Sequence, residues 1–189
     1  MDTVVLSEIV HRQATWLASH SDRVVTVATS LGRQLNLNEL QLERLAGAAR
    51  LHDVGKIRVR ADIVNKPGPL DPTEWREMQR HPVHGYWLLY RVAHQEIAET
   101  VLCHHERYDG TGYPFGLSGT AIPLLSRVLA VADAHDAMTS DRPYRLGIDG
   151  ATARYELAAN AGTQFDPQVV EAMLDLIDER PLADVAYAI

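Results

Sequence analysis

The sequence contains almost no cysteine and no long apolar run. Cys103 is the only cysteine among the 189 residues, so an internal disulfide is excluded and a structural zinc site made of thiolates is disfavoured. No apolar stretch reaches the roughly 20 residues that a membrane-spanning helix needs, and the N-terminus lacks the pattern of a signal peptide. We therefore expect a cytoplasmic location and no membrane partner.

The chain also has a deficit of positive charge. Lysine and arginine number 18 against 25 acidic residues, which gives a net charge of −7. This balance argues against a surface that binds long nucleic acids, so an anionic substrate would need local positive charge from metal ions or a few arginines. The apolar content of 46% fits one domain with a sizeable core. We predict a single domain over 1–189, with a motif-bearing core at about 18–176.

Hydrophobic periodicity predicts an all-helical fold. In the clearest segment, His20 lies on the same helical face as Val24 and Leu31. A single histidine on such a face is more often a packed core residue than a ligand. Further helices are predicted over about 4–17, 38–52, 71–79, 81–89, 96–105, 122–138, 148–161 and 167–179. The four glycines in the segment 109–119 predict a compact loop, which is either functional or a plain linker.

A histidine and an aspartate stand together at the end of one predicted helix. Gly55 is interpreted as the stop of that helix, and Lys56 follows it. The imidazole of His52 can bind one metal ion, and the carboxylate of Asp53 has two oxygens that can bridge two ions. Taken alone, the doublet would favour a capped helix end on the surface.

Three further histidines are predicted to lie where helices begin or end. His81 precedes a proline at a helix start, and His104 and His105 end an apolar face. Neutral imidazoles can be buried, but each leaves a nitrogen that needs a partner, which a metal ion would provide. A capping role is the alternative for His81. Glu106 could hold a ligand in place from behind.

An acidic residue and a basic turn come later in the chain. Asp133 lies on the helical line of Leu125 and Leu129, so its carboxylate is predicted to point inward, where it needs a metal ion, a cation or a proton. Asp136 lies off that line and is expected to be exposed or structural. The turn 142–145 offers two arginines and a tyrosine for phosphate and base contacts, or is a solvated basic turn.

Together, five imidazoles and two carboxylates form a ligand set for two borderline transition-metal ions. The members of the set are His20, His52, Asp53, His81, His104, His105 and Asp133. With these residues the sequence resembles the HD-GYP family, a branch of the HD phosphohydrolases, over about 20–173. The motifs that carry the resemblance are His52-Asp53-Val54-Gly55-Lys56, His81-Pro82, His104-His105-Glu106, Asp109-Gly110-Thr111-Gly112-Tyr113-Pro114, Val131-Ala132-Asp133, Asp136-Ala137-Met138-Thr139-Ser140, Arg142-Pro143-Tyr144-Arg145 and Phe165-Asp166-Pro167.

The resemblance implies an all-α HD-domain helical bundle with a glycine-rich GYP loop. It also implies a phosphodiesterase that hydrolyses the bacterial messenger cyclic di-GMP to pGpG, GMP or both. The reaction would take place at a centre of two divalent transition-metal ions, for which iron is expected and manganese is the alternative. By position, the ligands fall into two groups with one bridge. One metal ion would be held by His20, His52 and Asp133, the other by His81, His104 and His105, and Asp53 would bridge them.

The resemblance assigns further roles at the same centre. Asp53 and Lys56 would be catalytic, with Lys56 on the scissile phosphate, and two adjacent ions would lower the pKa of a bridging water so that hydroxide attacks phosphorus. The residues that would shape the substrate pocket are Gly112, Tyr113, Pro114, Arg142 and Arg145.

Two positions depart from the family pattern. Some members carry a glutamate four residues before the first histidine, which supports a third metal; Trp16 stands there, so we predict two ions. Leu146 stands where a basic residue often follows the arginines, which weakens the expected hold on the far half of the ligand.

Other functions remain open from the sequence. One alternative is a signalling module that binds the nucleotide or a regulatory protein without turnover, and another is hydrolysis of a different cyclic dinucleotide or of a nucleotide. No sensory domain is visible, so a regulatory protein partner or a further segment is expected to supply the input signal.

Overall fold

The computed structural model, which describes residues 15–141 and 146–179, contains helices, turns and loops, and no β-strand occurs within those ranges. The helices are α1 (Thr15–Gln34), α2 (Glu39–Leu51), the 3₁₀ turn η1 (Val54–Arg58), α3 (Ala61–Val64), α4 (Pro72–Met78), α5 (His81–Leu89), α6 (Gln95–Cys103), the 3₁₀ turn η2 (Gly119–Ala121), α7 (Leu124–Thr139), α8 (Gly150–Ala159) and α9 (Pro167–Glu179). The all-α prediction is confirmed. The predicted helix over 4–17 lies almost wholly outside the described residues.

Two predicted helix starts are confirmed by reciprocal capping hydrogen bonds. The Asn38 side chain accepts from the amide of Gln41 at 2.9 Å, and the Gln41 side chain accepts from the amide of Asn38 at 3.0 Å. Asp71 and Glu74 form the same reciprocal pair, called a capping box, at the start of α4. The amide of Glu74 donates to the Asp71 side chain at 2.9 Å, and the amide of Asp71 donates to the Glu74 side chain at 2.8 Å. Each box satisfies amides that have no partner inside the helix, so these ends are set by local sequence.

The core lies where α1 packs against α2 and α7. Val24 and Leu31 of α1 are fully buried, as are Leu45 of α2 and Leu129 of α7. Each such side chain contributes about 1.5–3 kcal/mol when it leaves water. The aliphatic core therefore fixes the helices whose ends carry the candidate ligands, and His20 is buried on the same face of α1, as its spacing predicts.

Gly55 has a different role from the predicted helix stop. It lies inside η1 and is absent from the glycines with positive φ, so it is not a left-handed helix terminator. A Cβ atom there would lie 1.9 Å from the carbonyl oxygen of His81 and 2.5 Å from the amide nitrogen of Gly85. Gly55 therefore permits η1 to pack directly against the backbone of α5. The interpretation as a stop was wrong because this contact is made by residues distant in sequence.

No helix in the described ranges is long and apolar enough to cross a membrane.

Candidate metal centre

Six of the seven predicted ligands converge in two triads. The structure places donor atoms of His20, His52 and Asp133 within 4.8 Å of one another, and the donor atoms of His81, His104 and His105 meet the same limit. These residues come from the ends of α2, α5 and α6 and from the inner faces of α1 and α7. The fold thus gathers side chains that are spread over more than a hundred residues of sequence.

The seventh, Asp53, lies between the triads. Its Oδ2 atom is 3.5 Å from Nε2 of His52, and its Oδ1 atom is 3.5 Å from Nε2 of His81. One carboxylate oxygen therefore faces each triad, which is the arrangement that a bridging ligand requires.

Three histidines have the same tautomer, which hydrogen bonds to backbone carbonyls determine. The Nδ1 atoms of His52, His81 and His104 lie 2.7, 2.8 and 2.6 Å from the carbonyl oxygens three residues earlier in the chain. A carbonyl only accepts, so Nδ1 carries the hydrogen and a neutral ring presents the lone pair of Nε2 to the centre. Short turns at the helix ends thus preset the ligand atoms.

The second triad fits a metal ion closely. Nε2 of His81 lies 3.5 Å from Nε2 of His104, and both rings are 2% exposed. Two lone pairs face each other there with no hydrogen between them, so the pair needs a cation. Burial lowers the pKa of His81 and of His105 to about 3, and it holds the pKa of His104 well below its usual value. The rings are therefore neutral at physiological pH, as metal ligation requires.

In the first triad, His20 and Asp133 share a proton in a hydrogen bond. Burial opposes a charge on His20, yet hydrogen bonds to Asp133 and Asp136 raise its pKa to about 9. Although burial raises the pKa of Asp133, its hydrogen bond with His20 brings that pKa below the ordinary value. Nε2 of His20 lies 3.2 Å from Oδ1 of Asp133. A metal ion at this triad would replace the proton on Nε2.

Asp136 is a feature that the sequence interpretation missed in part. It is 3% exposed, so of the two expected roles, exposed or structural, the structural one is confirmed. Its Oδ2 atom lies 2.6 Å from Nδ1 of His20, and Arg23 donates to both of its oxygens at 2.6 and 3.1 Å. The Ser140 hydroxyl donates to Oδ1 at 3.0 Å. Its spacing of three residues from Asp133 on one helix was the available signal.

Replacement of Asp136 by asparagine tests its role in holding His20. An amide keeps the shape but loses the charge that Arg23 and His20 share, so His20 is held less firmly with Nε2 toward the triad. We expect the affinity of one of two metal sites to fall about 10- to 100-fold while the other is unchanged, as measured by calorimetric metal titration. Asp22→Asn, an exposed aspartate of α1, is the control. Unchanged affinity at both sites would contradict the role.

Lys56 provides positive charge beside Asp53. Its Nζ atom lies 2.6 Å from Oδ2 of Asp53. Burial alone would raise the pKa of Asp53, but the adjacent ammonium group of Lys56 holds that pKa well below its usual value. Asp53 is therefore ionised and available as a ligand.

The glycine-rich loop covers the second triad. The ring of Tyr113 stacks on His105 with centroids 4.9 Å apart, and Trp75 contacts Tyr113 edge-on at 6.4 Å. A Cβ atom at Gly112 would lie 2.2 Å from the amide nitrogen of Arg107. Gly112 therefore permits the close approach that puts Tyr113 over the histidine.

Glu106 holds this loop rather than a ligand. Its buried carboxylate accepts hydrogen bonds from the amides of Phe115 at 2.7 Å and Leu117 at 3.0 Å. Among the contacts of the described residues, none joins the Glu106 side chain to a candidate ligand, so the expectation that it supports one from behind was wrong. Backbone amides form strong, charge-assisted hydrogen bonds to a carboxylate, so these two contacts hold the loop against Glu106.

A cavity of about 620 Å³ opens beside the triads. The candidate ligands in its wall are His104, His105 and Asp133, and α8 and the turn after it contribute polar side chains. The predicted pocket residues Arg142 and Arg145 lie outside the described residues. Pro114 lies next to Tyr113 in the loop, and its peptide bond with Tyr113 is cis.

The chain is similar to known HD-domain proteins. The profile of the family described as HD domain matches residues 4–169. RpfG, a cyclic di-GMP phosphodiesterase response regulator of Xanthomonas campestris pv. campestris (strain 8004), is 44% identical over 156 residues, which are 81% of this chain and 41% of the relative. The 3′3′-cGAMP-specific phosphodiesterase 3 of Vibrio cholerae serotype O1 is 37% identical over 177 residues, which are 92% of this chain and 38% of the relative.

A solved structure has the same fold. The crystal structure of a cyclic GMP-AMP specific phosphodiesterase of V. cholerae, V-cGAP3, superposes with a TM-score of 0.73 at 22% identity, over 97% of this chain and 51% of that one.

The helical bundle is that of an HD domain. The chain belongs to the HD domain family and, within it, to the HD-GYP group. It spans about two fifths of the length of the curated relatives it matches.

Proposed function

We propose that this chain is a metal-dependent phosphodiesterase that hydrolyses cyclic di-GMP to linear pGpG, GMP or both. The observation that carries the proposal is the pair of donor triads with Asp53 between them, beside a cavity of about 620 Å³. The similarity to RpfG supports cyclic di-GMP as the substrate. The similarity to a 3′3′-cGAMP-specific relative makes that dinucleotide the second candidate.

In this proposal the triads hold two divalent transition-metal ions, iron or manganese. His20, His52 and Asp133 would bind one ion, His81, His104 and His105 the other, and Asp53 would bridge them. When bound, the ions would lower the pKa of a shared water and offset charge on the phosphodiester.

The remaining residues contact the substrate or shield the metal centre from water. Lys56 donates to a phosphate oxygen and stabilises the charge that develops there, a contribution of about 2.7–4 kcal/mol by analogy with oxyanion-hole donors. Tyr113 keeps bulk water from His105, and Gly112 and Pro114 hold Tyr113 in that position. Arg142 and Arg145 stay predicted contacts of the substrate.

The test is to purify the protein without oxygen, determine its metal content and follow product formation from cyclic di-GMP and from 3′3′-cGAMP. We expect about two ions per chain, linear product, loss of the activity with a chelator and its return with iron or manganese. A metal-free protein that binds the dinucleotide without cleaving it would instead support the signalling module. Cytoplasmic location, the single domain over 1–189 and a regulatory protein partner stay predictions.

A further inference from the structure

One wall of the cavity is not used by the phosphate chemistry. Glu156 on α8, Asn160 at its end and Gln164 in the following turn line the cavity that also contains candidate ligands. We propose that this wall is a guanine-binding subsite that recognises one base of the cyclic dinucleotide by its Watson–Crick edge. The proposal rests on the proposed function, since it places a base of that substrate beside the triads.

The size and lining of the cavity suit a purine. About 620 Å³ lies within the range of roughly 300–1,000 Å³ that small-molecule sites occupy. Ala134, Ala137 and Met138 of α7 and Phe165 supply apolar surface in the wall. A flat base can lie against this surface while its polar edge meets the side chains of α8 and the turn.

The amide of Gln164 is oriented in advance. Its Oε1 atom accepts from Nη1 of Arg107 at 2.9 Å, and its backbone carbonyl accepts from the amide of Tyr108 at 3.2 Å. The amide of Asp109 donates to the carbonyl of Thr163 at 2.8 Å, which is a second backbone hydrogen bond between the glycine-rich loop and the turn after α8. Because Arg107 holds the oxygen, the NH₂ group of Gln164 is the side of the amide that is available as a donor.

The carboxylate of Glu156 is available as an acceptor. Within the described ranges no salt bridge or side-chain hydrogen bond includes it, whereas Arg154 on the same helix pairs with Asp178 at 3.2 Å. Asn160 donates from Nδ2 to the backbone carbonyl of Glu156 at 2.9 Å, which leaves its Oδ1 atom as a further acceptor. The wall therefore offers the NH₂ group of Gln164 as a donor group and two acceptor groups, the carboxylate of Glu156 and Oδ1 of Asn160.

This pattern complements guanine better than adenine. Guanine presents the acceptor O6 beside the donors N1–H and N2–H₂, so an amide NH₂ can bind O6 while a carboxylate accepts from N1 and N2. Adenine presents a donor at N6 and a lone pair at N1, so it can pair with one acceptor and the Gln164 amide, but it leaves the second acceptor without a donor. A base-binding site that leaves such groups unpaired discriminates strongly.

The subsite makes a prediction about the product. Cyclic di-GMP has a guanine in both positions, so either orientation brings an equivalent phosphodiester to the triads. In 3′3′-cGAMP only one base is guanine, and its place in the subsite fixes which phosphodiester is cleaved. Water then adds across that P–O3′ bond, giving one 5′-phosphate and one free 3′-hydroxyl, and a single linear isomer, pGpA or pApG, is formed.

The experiment compares the wild type with Glu156→Gln and with Glu171→Gln, an exposed carboxylate of α9 outside the cavity wall. Binding of GMP and AMP is measured by calorimetry, and the linear isomers formed from 3′3′-cGAMP are separated by chromatography. We expect the wild type and Glu171→Gln to bind GMP at least about tenfold more tightly than AMP and to form one isomer. Glu156→Gln should lose the preference and form both isomers, because a carboxamide also pairs with adenine.

The outcomes separate this proposal from the proposed function. Equal binding of GMP and AMP by the wild type would overturn the subsite, as would an isomer mixture that Glu156→Gln leaves unchanged. A preference for GMP that depends on Glu156, in a protein that cleaves no cyclic dinucleotide, would support the subsite and overturn the proposed phosphodiesterase. Because Glu156 is exposed, its replacement leaves folding intact, and thermal melting of both variants verifies this.

Discussion

Asp53→Ala is expected to abolish hydrolysis of cyclic dinucleotides and to reduce the metal content of the protein. Its two oxygens lie 3.5 Å from ligand nitrogens of different triads, so one substitution removes a donor from both. It also removes the partner that Lys56 contacts at 2.6 Å. We expect kcat/KM to fall by at least about 10³-fold, since loss of a single transition-state donor already costs 10²–10³-fold. Elemental analysis should find fewer bound ions than in the wild type.

Two further variants make this result specific. Asp53→Asn keeps the volume and fills the same space, so a loss of similar size identifies the missing carboxylate rather than a cavity as the cause. Asp62→Ala removes an exposed aspartate that pairs with Arg60 and should leave both the activity and the metal content at wild-type values. Wild-type turnover in Asp53→Ala would overturn the bridging role and, with it, the proposed mechanism.

Local sequence was sufficient to predict much of the fold. The position of His20 on an apolar stripe predicted its burial. Asn38 before Glu39, and the run Asp71-Pro72-Thr73-Glu74, predicted helix starts that the structure confirms. These features depend on residues within a turn or two of each other. The all-helical fold followed from the same periodicity.

The candidate site depends on contacts between residues that are far apart in the sequence, which hydrophobic periodicity does not predict. Residue types and a family resemblance predict the ligand set. The structure brings six of these side chains into two triads with Asp53 between them, while their metal-binding role stays a prediction. The contact between Asp136 and Arg23 joins positions 113 residues apart. Glu106 was assigned to a ligand because its neighbours are histidines, whereas its actual partners are amides nine and eleven residues later.

Gly55 shows most clearly why such contacts matter, because two backbones meet there. Gly55→Ala would place a Cβ atom 1.9 Å from the carbonyl oxygen of His81 and 2.5 Å from the amide nitrogen of Gly85. Neither contact is with a flexible side chain, so η1 or α5 must move. We expect a loss of about 4 kcal/mol or more in the free energy of unfolding, which is a large part of the roughly 5–15 kcal/mol typical of a domain.

The same movement should affect metal binding before the protein unfolds. The clashing carbonyl belongs to His81, whose Nε2 atom lies 3.5 Å from Nε2 of His104. A shift of α5 that relieves the clash also separates these nitrogens, so any folded Gly55→Ala protein should bind metal more weakly at that triad. Denaturant unfolding and metal titration measure the two effects separately.

Gly150→Ala is the matched control for this prediction. Gly150 begins α8 and lacks positive φ, and no atom lies within 4 Å of the place that the alanine methyl group would take. Alanine should therefore be neutral there or stabilising by up to about 1 kcal/mol. The contrast between the two alanines isolates the close approach from the general effect of removing a glycine. If Gly55→Ala unfolds at the wild-type denaturant concentration and retains both metal ions, direct backbone packing between η1 and α5 does not set the position of His81.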